Sequence, residues 1–313
     1  HRFGSCLLFG TAGIRGPRGA GPMRMNRLMV RVVATAIAKK LSADIQNNEV
    51  PLVVVGYDAR HQSQVFAEES ARVLATYGIK CLILSKPLPT PILAYTLLSK
   101  GAKAGIMVTA SHNPAEDSGY KVYWEDGGQI TYPHDNKIIY EVNKLNNIDD
   151  INTDKNQDLI KIISKEIDRS YLNKIKNLSM INNKESNLKI VYTPLHGTGI
   201  TQVPNALKVF GFKNFTITKS QESPNPNFPT VISPNPEDEN AAKGPFGVKN
   251  KKEAKCIDPT FSTILLLIIC PPMAIFMKLG FLKGFVSAII CGVLCVKLFY
   301  FPGLLFAILH VLC

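Results

Sequence analysis

Charge almost disappears from the end of this 313-residue chain: between Cys256 and Cys313 only Asp258, Lys278, Lys283 and Lys297 carry one. A wholly soluble polypeptide is therefore not expected. Of the 36 Lys+Arg and 24 Asp+Glu, 33 and 23 precede that stretch, so the first 255 residues still carry a net +10. Cysteine is scarce where a disulfide framework would need it. Five of the seven (256, 270, 291, 295 and 313) lie in the apolar tail, and only Cys6 and Cys81 precede it. Without a paired spacing, a reducing compartment is the expectation. A basic stripe is lacking too: the lysines between Lys155 and Lys189 alternate with Asp, Glu and Ile, as on a solvated helix face, so nucleic acid is not an expected partner. Glycine and proline keep no collagen period, and 15 Phe with 10 Tyr exclude a disordered composition. Asn177-Leu-Ser179 and Asn214-Phe-Thr216 match the glycosylation tripeptide, but no secretory signal accompanies them and both are read as chance. The opening His1 is compatible with a fragment of a longer chain.

What is present alternates. Leu52–Tyr57 is a short β-branched run ending at Asp58-Ala-Arg60, the pattern of a buried strand. Helical spacing follows over Gln64–Tyr77 and stops at Gly78, then come a strand at Lys80–Leu84, a helix at Pro91–Lys100 and a strand at Ala104–Val108. Such alternation predicts an α/β fold, a three-layer α/β/α domain with a mixed, mostly parallel sheet. In such sheets chemistry gathers at the carboxyl ends of strands, which points to the loop opening at Thr109. The Asn- and Lys-rich stretch 143–189 is expected to hold one long helix over about 158–178 and to lead into a second unit. That unit reads as strand Lys189–Thr193, turn His196-Gly-Thr-Gly199, helix Thr201–Phe210 and strand Asn214–Thr218. The prolines of 223–237 are loop chemistry. The expected domains are 1–150, a partial second α/β/α unit over 151–242, a linker over 243–258 and a tail over 259–313.

Thr109-Ala-Ser-His-Asn-Pro114 sets a hydroxyl beside an imidazole on a tight turn, with Pro114 fixing the exit and Asn113 tolerating the turn. A capping loop or an esterase nucleophile are the plain readings. The Gly-x-Ser-x-Gly elbow is absent, however, and no acid partner is evident. His196–Gly199 reads either as a phosphate cradle or as a strand-to-helix turn.

These residues also carry a resemblance. The 109–114 motif, followed by Gly119-Tyr-Lys-Val-Tyr-Trp124 and preceded by Phe9-Gly-Thr-Ala-Gly-Ile-Arg-Gly16, resembles the α-D-phosphohexomutase superfamily over about residues 9–242. The run Gly119–Ile130 is similar to the branch holding eukaryotic phosphoglucomutase 2, phosphopentomutase and glucose 1,6-bisphosphate synthase. The resemblance implies a phosphoserine at Ser111 that exchanges its phosphoryl group with a hexose or pentose 1-phosphate. It implies that His112 and Lys121 handle protons, that Arg15 grips phosphoryl oxygens, and that Thr11 and Asn113 contact substrate. Glucose 1,6-bisphosphate is implied as a primer. The phosphoserine would also be one ligand of a Mg2+ ion, beside an Asp-x-Asp-x-Asp-Arg loop expected soon after Asn235-Pro-Glu237. No Asp-x-Asp pair occurs anywhere in the chain. The expectation is therefore an isomerase truncated before its metal loop and its third and fourth domains, impaired in turnover.

Phe261–Met277 runs without a charge, and Gly284–Leu309 is apolar but for Lys297. Two spans of this kind predict a membrane hairpin, and residues 259–313 resemble the small stress-induced plasma-membrane proteolipid family. A lipid bilayer is then an expected partner, with multi-pass membrane localisation and a cytoplasmic head. A proteolipid with a catalytically idle head, or two neighbouring genes joined in one reading frame, are the competing expectations.

Overall fold

The computed structural model describes residues 2–4, 7, 13–44, 49–145, 151, 153–163, 166–178, 188–238 and 241. Thr11 and the expected membrane hairpin over 259–313 lie outside the described residues. Among the described residues no helix is long and apolar enough to cross a membrane.

Two compact units are present. The first takes residues 1–169, 197–201 and 225–234, the second 170–196, 202–224 and 235–313. In the first, β1 (Ile14–Pro17), α1 (Arg27–Asp44), β2 (Leu52–Tyr57), α2 (Ser63–Thr76), β3 (Lys80–Leu84), α3 (Thr90–Lys100), β4 (Ala104–Val108), β5 (Asp117–Trp124), α4 (His134–Lys144) and β6 (Ile160–Ile163) follow in order. One six-stranded sheet results, ordered β1-β5-β4-β2-β3-β6. Strands β4, β2, β3 and β6 are parallel, while β5 runs antiparallel to both β1 and β4. A mixed, mostly parallel sheet is what the strand–helix alternation predicts.

Both faces of β4 are covered, and all five of its residues (AGIMV) are buried. On one face Val30 and Ile37 of α1, Phe66 and Leu74 of α2 and Ile138 of α4 pack on Val53, Val55, Ile106, Val108, Tyr120 and Val122. On the other face Leu93 and Leu97 of α3 press so closely that a Cβ on Gly56 or Gly105 would stand 3.1 or 2.9 Å from them. Helix α2 is tied to α1 by Glu69, buried between Arg27 and Arg31.

One expectation needs correction. The single helix over about 158–178 is instead a strand, β6, followed by α5 (Glu166–Lys176). Ile160, Ile162 and Ile163 are β-branched, and the free edge of β3 offers them a parallel partner from Cys81↔Ile160 to Leu84↔Ile163. Ile162 remains 72% exposed, as on an edge strand, which is why the intervening polar residues mimic a solvated helix. The first sheet thus draws a strand from beyond residue 150.

In the second unit β7 (Ile190–Tyr192) pairs parallel with β8 (Phe215–Ile217), and α6 (Val203–Val209) lies between them in sequence. His196 is buried there, its Nδ1 3.1 Å from the Ser223 carbonyl and its backbone N–H donating to Gln221. That is the bonding of a turn.

Candidate functional site

Register brings the site together. Because β2 and β4 are parallel neighbours with Tyr57 opposite Val108, the residues that follow each strand emerge side by side at the carboxyl end of the sheet. The Asp58 N–H donates to the Val108 carbonyl and continues that pairing by one residue. Asp58–Arg60 therefore flank Thr109–Pro114.

Ser111 is exposed at the tip of that loop with φ +58°, a left-handed conformation that disfavours residues with a Cβ by about 1–3 kcal/mol. Its N–H donates to Thr109 Oγ1 at 3.0 Å, and Asn113 Nδ2 donates to Asp117 Oδ2 at 2.9 Å. The Asn113 amide thus spends a donor inside the loop. His112 is exposed beside Ser111, and its carbonyl accepts a hydrogen bond from Ser233 Oγ.

Directly opposed residues of an antiparallel pair share a sheet face. Arg15 faces Gly119 across β1 and β5, and Lys121 lies two residues on, so Arg15 and Lys121 stand diagonally on one face. Between them Gly119 is bare, because a Cβ there would come within 2.4 Å of the Thr109 carbonyl oxygen. Ile14, Tyr120 and Val122 point the opposite way, into the core. Burial pushes the Lys121 ammonium below its ordinary pKa; Arg15 adds to the fall and Asp58 opposes it. Tyr123, two residues further along, is lifted by burial to about 12. Arg15 Nε is buried without a hydrogen-bond partner among the described residues, a cationic donor still unsatisfied. Arginine, lysine, imidazole and a strained exposed hydroxyl at one sheet end make a site for phosphoryl or carboxyl oxygens.

Sequence reasoning did not single out Arg60. It is 5% exposed, and its guanidinium donates to four backbone carbonyls of the serine loop: Ser111 at 3.0 Å, Asn113 at 2.6 Å, Pro114 at 2.7 Å and Asp117 at 3.3 Å. The one available signal was an arginine placed three residues after an apolar strand, beyond Asp58.

The donor set does not suit Mg2+, which asks for six oxygens. Among the described residues no group of three or more His, Cys, Asp or Glu could hold a metal. Asp58 Oδ1 already accepts from the Arg60 N–H and from Ser63 Oγ, and Asp117 Oδ2 from Asn113. Ser111, as a phosphoserine, would supply one ligand side only.

Residues 7–149 match the family model described as phosphoglucomutase/phosphomannomutase, alpha/beta/alpha domain I, and residues 169–258 match alpha/beta/alpha domain II of the same family. The second match runs through Lys243–Lys255, the charged stretch read as a linker. A phosphoglucomutase of Staphylococcus haemolyticus strain JCSC1435 is 40% identical over 239 residues, 75% of this chain and 43% of that protein. A phosphoglucomutase of Staphylococcus aureus strain MRSA252 is 37% identical over 261 residues, 82% of this chain and 47% of that protein. The chain thus spans less than half the length of these curated relatives. A solved structure from Thermus thermophilus superimposes with TM-score 0.66 at 24% identity over 79% of this chain and 53% of its own. A phosphoglucomutase/phosphomannomutase family protein from Burkholderia thailandensis does so with TM-score 0.56 at 20% identity, covering 75% and 47%. At such identities these likenesses speak for the fold.

Proposed function

Because its two successive domains match those of the phosphoglucomutase/phosphomannomutase family, the chain belongs to that family, and we propose that it is a phosphohexomutase-type phosphotransferase acting on a sugar phosphate through Ser111. The observation that carries this reading is the placement of Ser111, exposed and left-handed, at the carboxyl end of β4 beside the shared face of Arg15 and Lys121.

In the step so proposed, the bond from phosphorus to Ser111 Oγ breaks as one forms to a sugar hydroxyl oxygen. Lys121, whose burial favours its neutral amine, takes the hydroxyl proton, and exposed His112 returns a proton to the serine oxygen. Arg15 lies against the phosphoryl oxygens, where a planar fork matches two of them. The bisphosphate then reorients and gives its other phosphate back to Ser111. Hexose and pentose 1-phosphates are the proposed substrates and glucose 1,6-bisphosphate the proposed primer. No step is drawn through Mg2+, since the described residues do not build its site. Where a cation does sit it contributes several kcal/mol of charge stabilisation. At 1.36 kcal/mol per tenfold, a chain without that contribution should run roughly a thousandfold slower than a family member that has it.

The test is phosphoryl uptake. The 313-residue chain, incubated with glucose 1,6-bisphosphate, should gain one phosphoryl group on Ser111, seen by peptide mass, and Ser111→Ala should gain none. A folded chain that never labels at Ser111, or a Ser111→Ala variant that labels equally, would overturn the reading.

A further inference from the structure

The Ser111 loop has few internal ties. Among the described residues the bonds within it are Ser111 N–H to Thr109 Oγ1, Asn113 N–H to the Ala110 carbonyl, Asp117 N–H to the Pro114 carbonyl, and Asn113 Nδ2 to Asp117 Oδ2. None of them uses the carbonyls of Ser111, Asn113 or Asp117. Those three, with that of Pro114, turn inward and converge on one guanidinium. We propose that Arg60 is a positioning residue for the phosphoryl carrier: its buried fork gathers the Ser111, Asn113, Pro114 and Asp117 carbonyls and so holds the loop in the turn that presents Ser111 Oγ. This rests on the proposed role of Ser111.

Three further observations place Arg60 as a hub. Its own position is fixed from below, since Asp58 Oδ1 accepts from the Arg60 N–H at 2.9 Å and Asp58 Oδ2 stands 3.4 Å from Nε. Asp58 is in turn held by Ser63 Oγ at 2.7 Å, at the start of α2. From above, the Phe228 ring covers the guanidinium with its centroid 4.8 Å from Cζ, a cation–π contact that also shuts out water. Phe228 is 6% exposed, and its strand-free segment Asn225–Pro234 belongs to the first unit. The same segment touches the site twice more, through Asn227 Oδ1 at 2.7 Å from His61 Nε2 and through Ser233 Oγ on the His112 carbonyl. Two carbonyls accept from Nη1 and two from Nη2, a demand that a multi-donor group meets. Lysine, with three donors on one point, cannot reach them together.

The test compares wild type, Arg60→Lys, Arg60→Ala and Phe228→Leu in the full chain, by backbone amide hydrogen exchange and by phosphoryl uptake from glucose 1,6-bisphosphate. In Arg60→Lys, exchange over residues 110–117 should rise about tenfold or more while β2 and β4 stay protected. The maximal uptake rate should fall roughly a hundredfold, with the bisphosphate concentration at half-maximal rate moving by less than about threefold. Added guanidinium ion, but not ammonium, should restore loop protection to Arg60→Ala. Wild-type loop exchange in a folded Arg60→Lys chain would overturn the proposal, as would exchange rising equally throughout β2 and β4. If the Arg60 variants do not fold, Phe228→Leu decides: faster exchange confined to 110–117 supports the hub, and unchanged exchange refutes it. If wild type takes up no phosphoryl group, the reading of Ser111 fails, while the exchange data still decide what Arg60 does.

Discussion

Lys121 puts stability and chemistry in opposition at one side chain. Burial and the neighbouring Arg15 hold its pKa below the ordinary lysine value in the folded chain. Below that lowered pKa both folded and unfolded states carry the proton, and the full penalty of a desolvated cation falls on the fold. Between the lowered pKa and the unfolded value of about 10.4 the unfolded state binds more protons, so stability rises with pH; above it the penalty is gone. Lys121→Met should therefore melt at a higher temperature than wild type near neutral pH, with the gap closing as pH approaches about 10.4, and phosphoryl uptake should be lost. Melting curves across that pH range check the sign, and a variant less stable at neutral pH would contradict it. Ser111 sets a second such test. Its φ of +58° is natural for glycine, so Ser111→Gly relieves strain while loosening the unfolded chain. The two effects nearly offset, and urea denaturation should find stability within about 1 kcal/mol of wild type although the phosphoryl acceptor is gone.

At the scale of elements, the site depends on how closely β5 lies against the end of β4. Gly119 donates nothing but space: its absent Cβ lets the Thr109 carbonyl approach, and its own carbonyl accepts the Thr109 N–H at 3.0 Å. Gly119→Ala must push the serine loop outward or part β5 from β1, where Arg15 faces it. The expected loss is about 1–3 kcal/mol, comparable to overpacking a core, together with a strong fall in phosphoryl uptake. Denaturant midpoints read the first, and a midpoint equal to wild type would show the strands can slide without strain. The α2–β3–α3 block is legible in sequence because each element carries its own signal: helical spacing with Gly78 as stop, a four-residue apolar run after Lys80, and Pro91 as start. Strand β6 is not, since three isoleucines among polar residues suit an edge strand as well as a helix face. Only the vacant edge of β3 chooses.

At the scale of the whole molecule, the sequence from Phe261 onward predicts an anchor that lies outside the described residues. Two apolar spans hold far more firmly than a surface helix, so the full chain should stay with membranes after alkaline carbonate washing. Its release into the supernatant would remove that expectation. By itself the sequence determined the alternation of strands and helices and the serine loop at a strand end, because these are local patterns of spacing and polarity; Arg15, Ser111, His112 and Lys121 became candidates only through the family resemblance of the motifs that hold them. Tertiary structure alone decided that Arg15 and Lys121 share a sheet face, which follows from the register of β1 on β5. It also decided that Arg60, some fifty residues before the serine loop, is its internal support. That role arises when parallel β2 and β4 bring their carboxyl ends together and burial leaves four carbonyls with one common donor, a demand of hydrogen bonding that no local spacing encodes.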